Sequence, residues 1–378
     1  RTWLEMQGNL TDIHTEENCF YLSPVDDSLH DREEKPVEEI TVLDPACGSG
    51  HMLFYAFDVL YQMYLEEGKY PKEHIPREIL RNNLYGIDID SGAAQIAALS
   101  LYLKAKEKAP EVTIPRVNIV SGDAVLINGD RKQEVLESAR SELEEEIIEQ
   151  IWDSFADIRE FGSLIRVEER IDEILEEHRD AIRKSGQAKF TSEGTLATQS
   201  SFVSGEGQEE TWEEVKQRLL DQVSNLASQA LEQNSAIGEM FAEEVGKTVE
   251  ILDVLVHEYD VVLSNPPYLV SQKMGDNLKN FLKSNFISYR NSYTCFIERG
   301  TELTADDGYA SLVTPEDLLM LKSYRKIREK LIDETQITEG LHLSRYGFDQ
   351  QKDSYTIAFV IRNNDKNFEK SRFYRLTH

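Results

Sequence analysis

Short apolar runs, each followed by a helical pattern, are the feature that most constrains the fold of this chain. Residues 40–44, 84–88 and 117–122 form short, largely apolar runs of strand length, and the first two precede segments with apolar side chains at helical spacing. A fourth run follows at 259–264. Buried strands that alternate with helices predict an α/β fold, in which a parallel sheet is covered by helices on both faces.

The C-terminal third continues this alternation. The pattern predicts a helix at 293–303, a strand at 309–313, a basic amphipathic helix at 317–331 and two closing strands at 340–343 and 355–362. We therefore predict a core domain formed by residues 1–130 and 258–378.

Residues 131–257 interrupt the order of strands. They are rich in Glu, Gln and Ala and carry 13 basic and 30 acidic residues, a net charge of −17. We interpret them as an acidic helical insertion between the third and fourth strands, either a solvated helical surface or a surface that binds a partner. A domain that recognises a nucleic acid is an alternative, but the negative charge opposes contact with phosphates.

Composition restricts the class of protein. No apolar run approaches the ~18 residues of a membrane span, so we expect no membrane association. The three cysteines, Cys19, Cys47 and Cys295, show neither disulfide nor metal-ligand spacing, which predicts a reducing cytoplasm and no metal. The chain begins at Arg1 without a signal peptide, and we expect it to be part of a longer protein. The net charge of −29 is unfavourable for nucleic-acid binding, but residues 271–378 carry a net +2.

The first strand ends in the sequence Asp-Pro-Ala-Cys-Gly-Ser-Gly at residues 44–50. Glycines between a strand and a helix allow a sharp turn and close approach of the backbone to a ligand. An acidic residue at the strand end suits a positively charged ligand, such as the ammonium group of methionine, better than a phosphate. A tight structural connection is the alternative interpretation.

Acidic residues also end the next two strands. Asp88 is placed to accept hydrogen bonds from a ribose diol, whereas Asp90 suits the N-cap of the following helix. Asp123 is placed to accept a hydrogen bond from an adenine amino group. Three acidic strand ends in succession predict one ligand that lies across the carboxyl edge of the sheet.

The fourth strand ends in Asn265-Pro266-Pro267-Tyr268. The Asn265 amide oxygen and the Pro266 carbonyl oxygen can each accept a hydrogen bond from one N–H of an aromatic amino group. These bonds make the nitrogen lone pair available for nucleophilic attack. Pro266 and Pro267 hold these acceptors rigidly, and Tyr268 can stack on the base. These residues therefore predict methyl transfer to an amino group, with positioning as the main catalytic effect.

The order of these motifs resembles that of the DNA amino-methyltransferases, and residues 37–363 are similar to the large adenine methyltransferases of bacteriophage-exclusion (BREX) systems, the PglX type. The resemblance implies a Rossmann-like sheet, S-adenosylmethionine as cofactor and transfer to the N6 amino group of adenine in double-stranded DNA, in phage defence or restriction-modification. It implies a base flipped out of the duplex and other defence-system subunits as possible partners.

The resemblance also assigns residues. S-adenosylmethionine is expected to contact residues of the first three strand ends and one aromatic side chain, namely Asp44, Pro45, Ala46, Gly48, Gly50, Asp88, Ile89, Asp123, Ala124 and Phe296. Phe348 is expected to hold the flipped base on the side opposite Tyr268. For Phe296 and Phe348, ordinary core packing is the alternative interpretation.

The sequence departs from the family at two places. Only Tyr21-Leu22-Ser23-Pro24 approaches the aromatic-Thr-Pro segment that precedes the first strand, so we expect that segment before Arg1. No target recognition domain is visible after the last core strand.

Other functions remain as alternatives. Cytosine-C5 chemistry is excluded because no Pro-Cys pair occurs, which leaves Cys47 as a small turn residue. Guanine-N2 methylation of ribosomal RNA, glutamine methylation of release factors and a cofactor-binding scaffold of a defence complex stay open.

Overall fold

The structure is a computed structural model. It describes residues 2–7, 11, 13, 32–114, 116–122, 149, 160–167, 169, 201–203, 209–211, 250–251, 253–344, 355–364 and 371–375. The chain forms two compact units, one from Arg1–Ser121 with His257–His378 and the other from Gly122–Val256. Among the described helices, none is both long and apolar enough to cross a membrane.

The first unit contains one large sheet. In chain order, the described strands are β1 (Val42–Asp44), β2 (Leu84–Asp88), β3 (Asn118–Ser121), β4 (Ser201–Val203), β5 (Glu209–Thr211), β6 (Tyr259–Ser264), β7 (Thr304–Pro315), β8 (Gln336–Ser344), β9 (Thr356–Arg362) and β10 (Arg372–Arg375). Eight of them form the sheet in the order β10-β8-β9-β7-β6-β1-β2-β3. The strands β4 and β5 belong to the second unit, where they form an antiparallel pair.

Helices alternate with these strands. The described helices of the first unit are α1 (Thr2–Gln7), α2 (His51–Glu67), α3 (Ile75–Glu78), α4 (Ser91–Lys108), α5 (Asp276–Asn285), α6 (Ser292–Glu302), α7 (Asp317–Met320) and α8 (Arg325–Glu334). A π-helical segment, Ile79–Asn83, joins α3 to β2. The predicted α/β class is confirmed, and the predicted strands and helices around the first four strand ends are present.

The order of the strands changes direction beside β1. From β1 the chain adds β2 and then β3 on one side, whereas β6 and β7 lie on the other side, and all of these neighbours are parallel. Between β1 and β6 is therefore a topological switch point, and ligands of open α/β sheets bind in the crevice outside the carboxyl ends of the strands at such a point.

The far end of the sheet corrects the prediction of an all-parallel sheet. Strand β9 lies between β7 and β8 and is antiparallel to both of them, while β10 pairs with β8 in parallel. Because β8 and β9 are consecutive in the chain and neighbours in the sheet, a short connection can join them, which only an antiparallel pair allows. The sheet is therefore mixed.

The predicted helix 317–331 is also wrong as a single element. The chain forms the short helix α7, then becomes extended at Leu321 and resumes a helix at Arg325. The guanidinium of Arg328 donates to the carbonyl oxygens of Leu318 and Leu321 at 2.6 and 2.8 Å. These bonds tie α8 to the interrupted segment, where the Leu321 carbonyl oxygen also accepts from the Tyr324 amide at 3.2 Å, and this stabilises the break.

The packing of α2 against α4 depends on Gly50. Gly50 precedes α2 with a φ of 83°, and a Cβ atom at this position would lie 2.9 Å from the Cβ atom of Ala97 on α4. The other end of α2 is also followed by a glycine with positive φ, Gly68 at 69°, but no atom lies within 4 Å of a Cβ atom there. The two glycines therefore share a backbone conformation and differ in the space around them.

We expect Gly50→Ala to destabilise the protein more than Gly68→Ala. Both variants force alanine into the left-handed region, at a cost of about 1–2 kcal/mol. Gly50→Ala also overpacks the contact with Ala97, which adds roughly 1–3 kcal/mol. Urea denaturation of both variants measures the difference, and equal losses of unfolding free energy would show that α4 moves away freely.

Candidate active site

Three of the turns singled out by the sequence lie at one edge of the sheet. The glycine turn (residues 44–50) follows β1, the acidic tip (residues 88–90) ends β2, and the proline turn (residues 265–268) follows β6. Since β2, β1 and β6 are adjacent and parallel, their carboxyl ends share this edge, and the switch point lies between the glycine turn and the proline turn.

The glycine turn is held by its own backbone and by β2. The Cys47 amide donates to the Ile87 carbonyl oxygen at 2.9 Å, and the Gly50 amide donates to the Cys47 carbonyl oxygen at 2.8 Å. Gly48 has a φ of 54°, and no atom lies within 4 Å of a Cβ atom built on it. The backbone at Gly48 is therefore open to close approach by a ligand.

Cys47 takes part in this turn as a buried residue. Burial raises the pKa of its thiol well above its usual range, and the nearby carboxylates of Asp44 and Asp88 raise it further. A thiol in this state is not a nucleophile, because the thiolate is the reactive form.

The Asp88 carboxylate joins the acidic tip to the glycine turn. Its Oδ2 atom accepts a hydrogen bond from the Gly48 amide at 2.8 Å, and its Oδ1 atom accepts one from the Asp90 amide at 2.9 Å. A carboxylate oxygen can accept more than one hydrogen bond, so both oxygens keep capacity for a ligand.

Asp90 has a structural role that the sequence predicted. Its side chain accepts a hydrogen bond from the Ala93 amide at 3.0 Å and caps α4. The capping prediction for Asp90 is confirmed.

The Asp44 carboxyl group links the two sides of the switch point. Its Oδ1 atom accepts hydrogen bonds from the Ala46 amide at 3.1 Å and from the Ser264 hydroxyl at 3.0 Å. Ser264 is the last residue of β6, immediately before the proline turn. Burial raises the pKa of Asp44 to about 7, although the two hydrogen bonds act in the opposite direction. The group therefore changes its protonation state near neutral pH.

In the proline turn, Asn265 is exposed and Tyr268 is half-buried. The Tyr268 hydroxyl lies 3.0 Å from the Asn265 Oδ1 atom and 3.0 Å from the Val313 carbonyl oxygen. Because burial raises the pKa of Tyr268 to about 12, the hydroxyl keeps its proton and can donate it to one of the two acceptors at a time. When it donates to Val313, the Asn265 oxygen is free to accept from another group.

A residue that the sequence did not single out holds the proline turn. The Ser292 hydroxyl, at the first residue of α6, donates to the Pro267 carbonyl oxygen and accepts from the Leu269 amide at 2.9 Å. In the described part of the chain, no hydrogen bond reaches the neighbouring Pro266 carbonyl oxygen. Ser292 thus fixes the turn, and the carbonyl oxygen of the buried Pro266 keeps its capacity to accept a hydrogen bond. The sequence gives no signal for this role of Ser292, because Ser292 lies 25 residues from Pro267 and the two meet only in the folded structure.

The remaining predicted residues are placed as follows. Pro45 and Gly50 are buried, Ala46 is half-buried, and Ile89 is 56% exposed at the tip of β2. Phe296 is buried on α6, and within the described residues no hydrogen bond or ring contact joins it to the glycine turn. Asp123, Ala124, Phe348 and the stretch 21–24 lie outside the described residues.

The site therefore offers two different chemical surfaces. On one side, the glycine turn and Asp88 present open backbone and carboxylate oxygens, which suit a ligand with a positive charge and hydroxyl donors. On the other side, Asn265 and Pro266 present neutral oxygen acceptors beside an aromatic ring, which suit a flat group that carries an amino substituent.

Comparison with known proteins identifies the family of the chain. The family model described as "Eco57I restriction-modification methylase" matches residues 82–348, and that of the "MmeI, DNA-methyltransferase domain" matches residues 26–116. The chain is 28% identical over 354 residues to the adenine-specific methyltransferase BrxX of Escherichia coli O9:H4 (strain HS), covering 90% of this chain and 26% of that protein.

Two further relatives extend the comparison. The adenine-specific methyltransferase PglX of Lacticaseibacillus casei (strain Zhang) is 26% identical over 346 residues, covering 88% of this chain and 24% of the relative. A putative type II restriction enzyme and methyltransferase of Methanocaldococcus jannaschii is 24% identical over 342 residues, covering 81% of this chain and 28% of the relative. The chain spans about a quarter of the length of these relatives. Because the first family model matches more than half of its residues, this chain belongs to the family of Eco57I restriction-modification methylases.

Proposed function

We propose that this protein transfers a methyl group from S-adenosylmethionine to the N6 amino group of adenine in double-stranded DNA, in phage defence or restriction-modification. The relatives named adenine-specific methyltransferases and the restriction-modification family support the substrate. The observation that carries the proposal is the hydrogen bond between Ser264 and Asp44, because it joins the turn suited to a cofactor to the turn suited to an amino group.

The residues at the glycine turn and the acidic tip fit the proposed cofactor. The open backbone at Gly48 gives room for close approach, and the Asp88 carboxylate can accept from the two ribose hydroxyls. The Asp44 carboxyl, with a pKa of about 7, can become a carboxylate opposite the ammonium group of methionine. Pro45, Ala46, Gly50, Ile89, Asp123, Ala124 and Phe296 complete the proposed cofactor set. S-adenosylmethionine, when bound, supplies a methyl group on a positively charged sulfur atom.

Asn265 and Pro266 act on the amino group that receives the methyl group. The Asn265 amide oxygen and the Pro266 carbonyl oxygen each accept a hydrogen bond from one N–H of the amino group. These hydrogen bonds withdraw the nitrogen lone pair from the aromatic ring. Pro267 is fixed by Ser292, so these acceptors need little reorganisation when the substrate arrives. The Tyr268 hydroxyl donates to Val313 in this state, and this leaves the Asn265 oxygen to the substrate.

The adenine must leave the duplex to reach this edge. An enzyme that modifies a base extrudes it from the stack and holds it between aromatic or apolar side chains. Tyr268 is half-buried beside the acceptors, and its ring packs edge-on against Tyr293 at a centroid distance of 5.9 Å, which fixes its orientation. We assign the first face of the base to Tyr268 and the opposite face to Phe348.

The rest of the molecule receives supporting roles. We assign catalysis to residues 1–130 and 258–378, and we assign residues 131–257 to an acidic helical insertion whose negative charge opposes contact with phosphates. Other subunits of a defence system are the proposed partners, and the cytoplasm is the proposed location.

We expect Asp88→Ala to weaken the binding of S-adenosylmethionine by at least about 100-fold. The variant loses two charge-assisted hydrogen bonds to the ribose, each worth roughly 1.5–3 kcal/mol. Asp90→Ala is the matched control, because it removes only the cap of α4 and costs about 1 kcal/mol of stability. Calorimetry measures both affinities, and an Asp88→Ala variant that binds like the wild type would refute the ribose assignment.

We also expect proton release when the cofactor binds. The pKa of Asp44 is raised to about 7 in the free protein, and the ammonium group favours the carboxylate. Affinity should therefore fall as the pH falls below 7, by up to about tenfold per pH unit. Asp44→Asn should bind weakly and lose this dependence. Calorimetry in two buffers of different ionisation enthalpy counts the protons, and an affinity of the wild type that stays constant below pH 7 would contradict this role.

For catalysis, we expect Asn265→Ala to lower the rate of methyl transfer to DNA by at least about 100-fold and to leave cofactor affinity unchanged. The variant loses an acceptor that is needed only at the amino nitrogen. Asn265→Asp should retain part of the activity, because a carboxylate also accepts. Transfer of a tritiated methyl group measures the rate on DNA, with ribosomal RNA in parallel. Labelling of RNA alone would overturn the proposed substrate, and full activity of Asn265→Ala would overturn the mechanism.

A further inference from the structure

The chain makes a short excursion directly after the proline turn. We call residues 269–291 the arm. It leaves the proline turn at Leu269 and returns to α6, and its two ends are tied together by an antiparallel bridge between Val270 and Asn291. The Ser292 amide also donates to the Leu269 carbonyl oxygen at 2.9 Å. Both ends of the arm therefore lie against the turn that carries the proposed amino-group acceptors.

The arm has a defined internal structure. It contains helix α5, and the side chains of Met274, Leu282 and Phe286 are buried beneath it. The Phe281 and Phe286 rings pack edge to face at a centroid distance of 6.4 Å. The Ile287 amide donates to the Glu298 carboxylate on α6 at 3.1 Å. These contacts fix the arm to the core, so charges on its surface have fixed positions relative to the proline turn.

The outer surface of the arm carries cations without acidic partners. Lys273, Lys279, Lys283 and Arg290 are all exposed, and among the described residues no carboxylate lies within ion-pair distance of any of them. Asp276 is the only acidic residue in the arm, which has a net charge of +3.

Several cations elsewhere in the first unit pair with carboxylates. Lys35 pairs with Asp260 at 2.5 Å, Lys104 pairs with Asp58 at 2.6 Å, and Arg362 pairs with Asp307 at 3.0 Å. In a chain with a net charge of −29, four exposed cations on an excursion that holds one acidic residue form a locally positive surface.

We propose that the arm binds the phosphate backbone of DNA beside the target base. This inference rests on the proposed function, because it names the surface that holds the substrate at the proline turn. Phosphate contacts from Lys and Arg fix the position of a protein on the duplex without reading its sequence. Lys279 and Lys283 are four residues apart on α5 and therefore project from the same face of the helix. The arm begins and ends at the proline turn, so a backbone bound along this face lies on the segment that adjoins the turn where the base is received.

The test is the salt dependence of DNA binding by the intact gene product. Each lost phosphate contact lowers the slope of log affinity against log salt concentration by about 0.9. The double variant Lys279→Gln/Lys283→Gln should therefore show a slope smaller by about 2 and weaker binding to every DNA sequence, while its affinity for S-adenosylmethionine stays unchanged. Lys273→Gln/Arg290→Gln repeats the measurement at the two ends of the arm.

The matched control is Lys72→Gln/Arg81→Gln. These two residues are exposed and precede β2, so they lie at the opposite edge of the sheet, and their removal should leave the slope unchanged. If both arm variants show the wild-type slope in a protein that methylates DNA, the arm does not bind the phosphate backbone. The proposed function is unaffected by that result. A wild type that binds DNA through the arm but transfers no methyl group to it would instead overturn the proposed function.

Discussion

A single carboxyl group, that of Asp44, connects the two halves of the site, and its burial determines which hydrogen bonds the two turns must supply to it. The side chain is 1% exposed and receives hydrogen bonds from its own turn and from the end of β6. A buried carboxyl group is costly to ionise unless hydrogen bonds or an opposite charge compensate. The two hydrogen bonds compensate in part, and the positive charge of the proposed cofactor completes the compensation. The geometry of both turns therefore depends on hydrogen bonds to the same carboxyl group.

The sequence predicted the edge of the sheet well because the signals there are local. An apolar run that ends in Asp and is followed by glycine defines both the end of a strand and the start of a helix, as at β1 and α2. Asp90 was recognised as a helix cap for the same reason, since the cap and its partner Ala93 are three residues apart. The proline turn was found because Asn-Pro-Pro-Tyr carries its acceptors within four residues. The proline turn lies within residues 82–348, which match the model of the Eco57I restriction-modification methylase family.

Features that depend on distant residues could not be predicted in this way. The direction of β9 is decided by its neighbours β7 and β8, not by its own apolar pattern. The break between α7 and α8 depends on Arg328, which reaches back to carbonyl groups that an amphipathic pattern does not reveal. The role of Ser292 was not predicted because its contact with Pro267 spans 25 residues. The helix α5 was not predicted because Leu282 is its only buried residue. The roles of the predicted site residues, including Phe296, Asp123 and Phe348, stay predictions.

The pairing of β1 with β6 has a consequence for how the protein folds. Val42 lies beside Val261 in the centre of the sheet, so the two halves of the site meet only after more than 200 residues of intervening chain have been made. Closing a loop costs entropy that grows with the logarithm of its length, and contacts of large sequence separation form slowly. A chain released from the ribosome before β6 has the glycine turn but lacks its partner across the switch point. We therefore expect the centre of the sheet to assemble last and to set the folding rate.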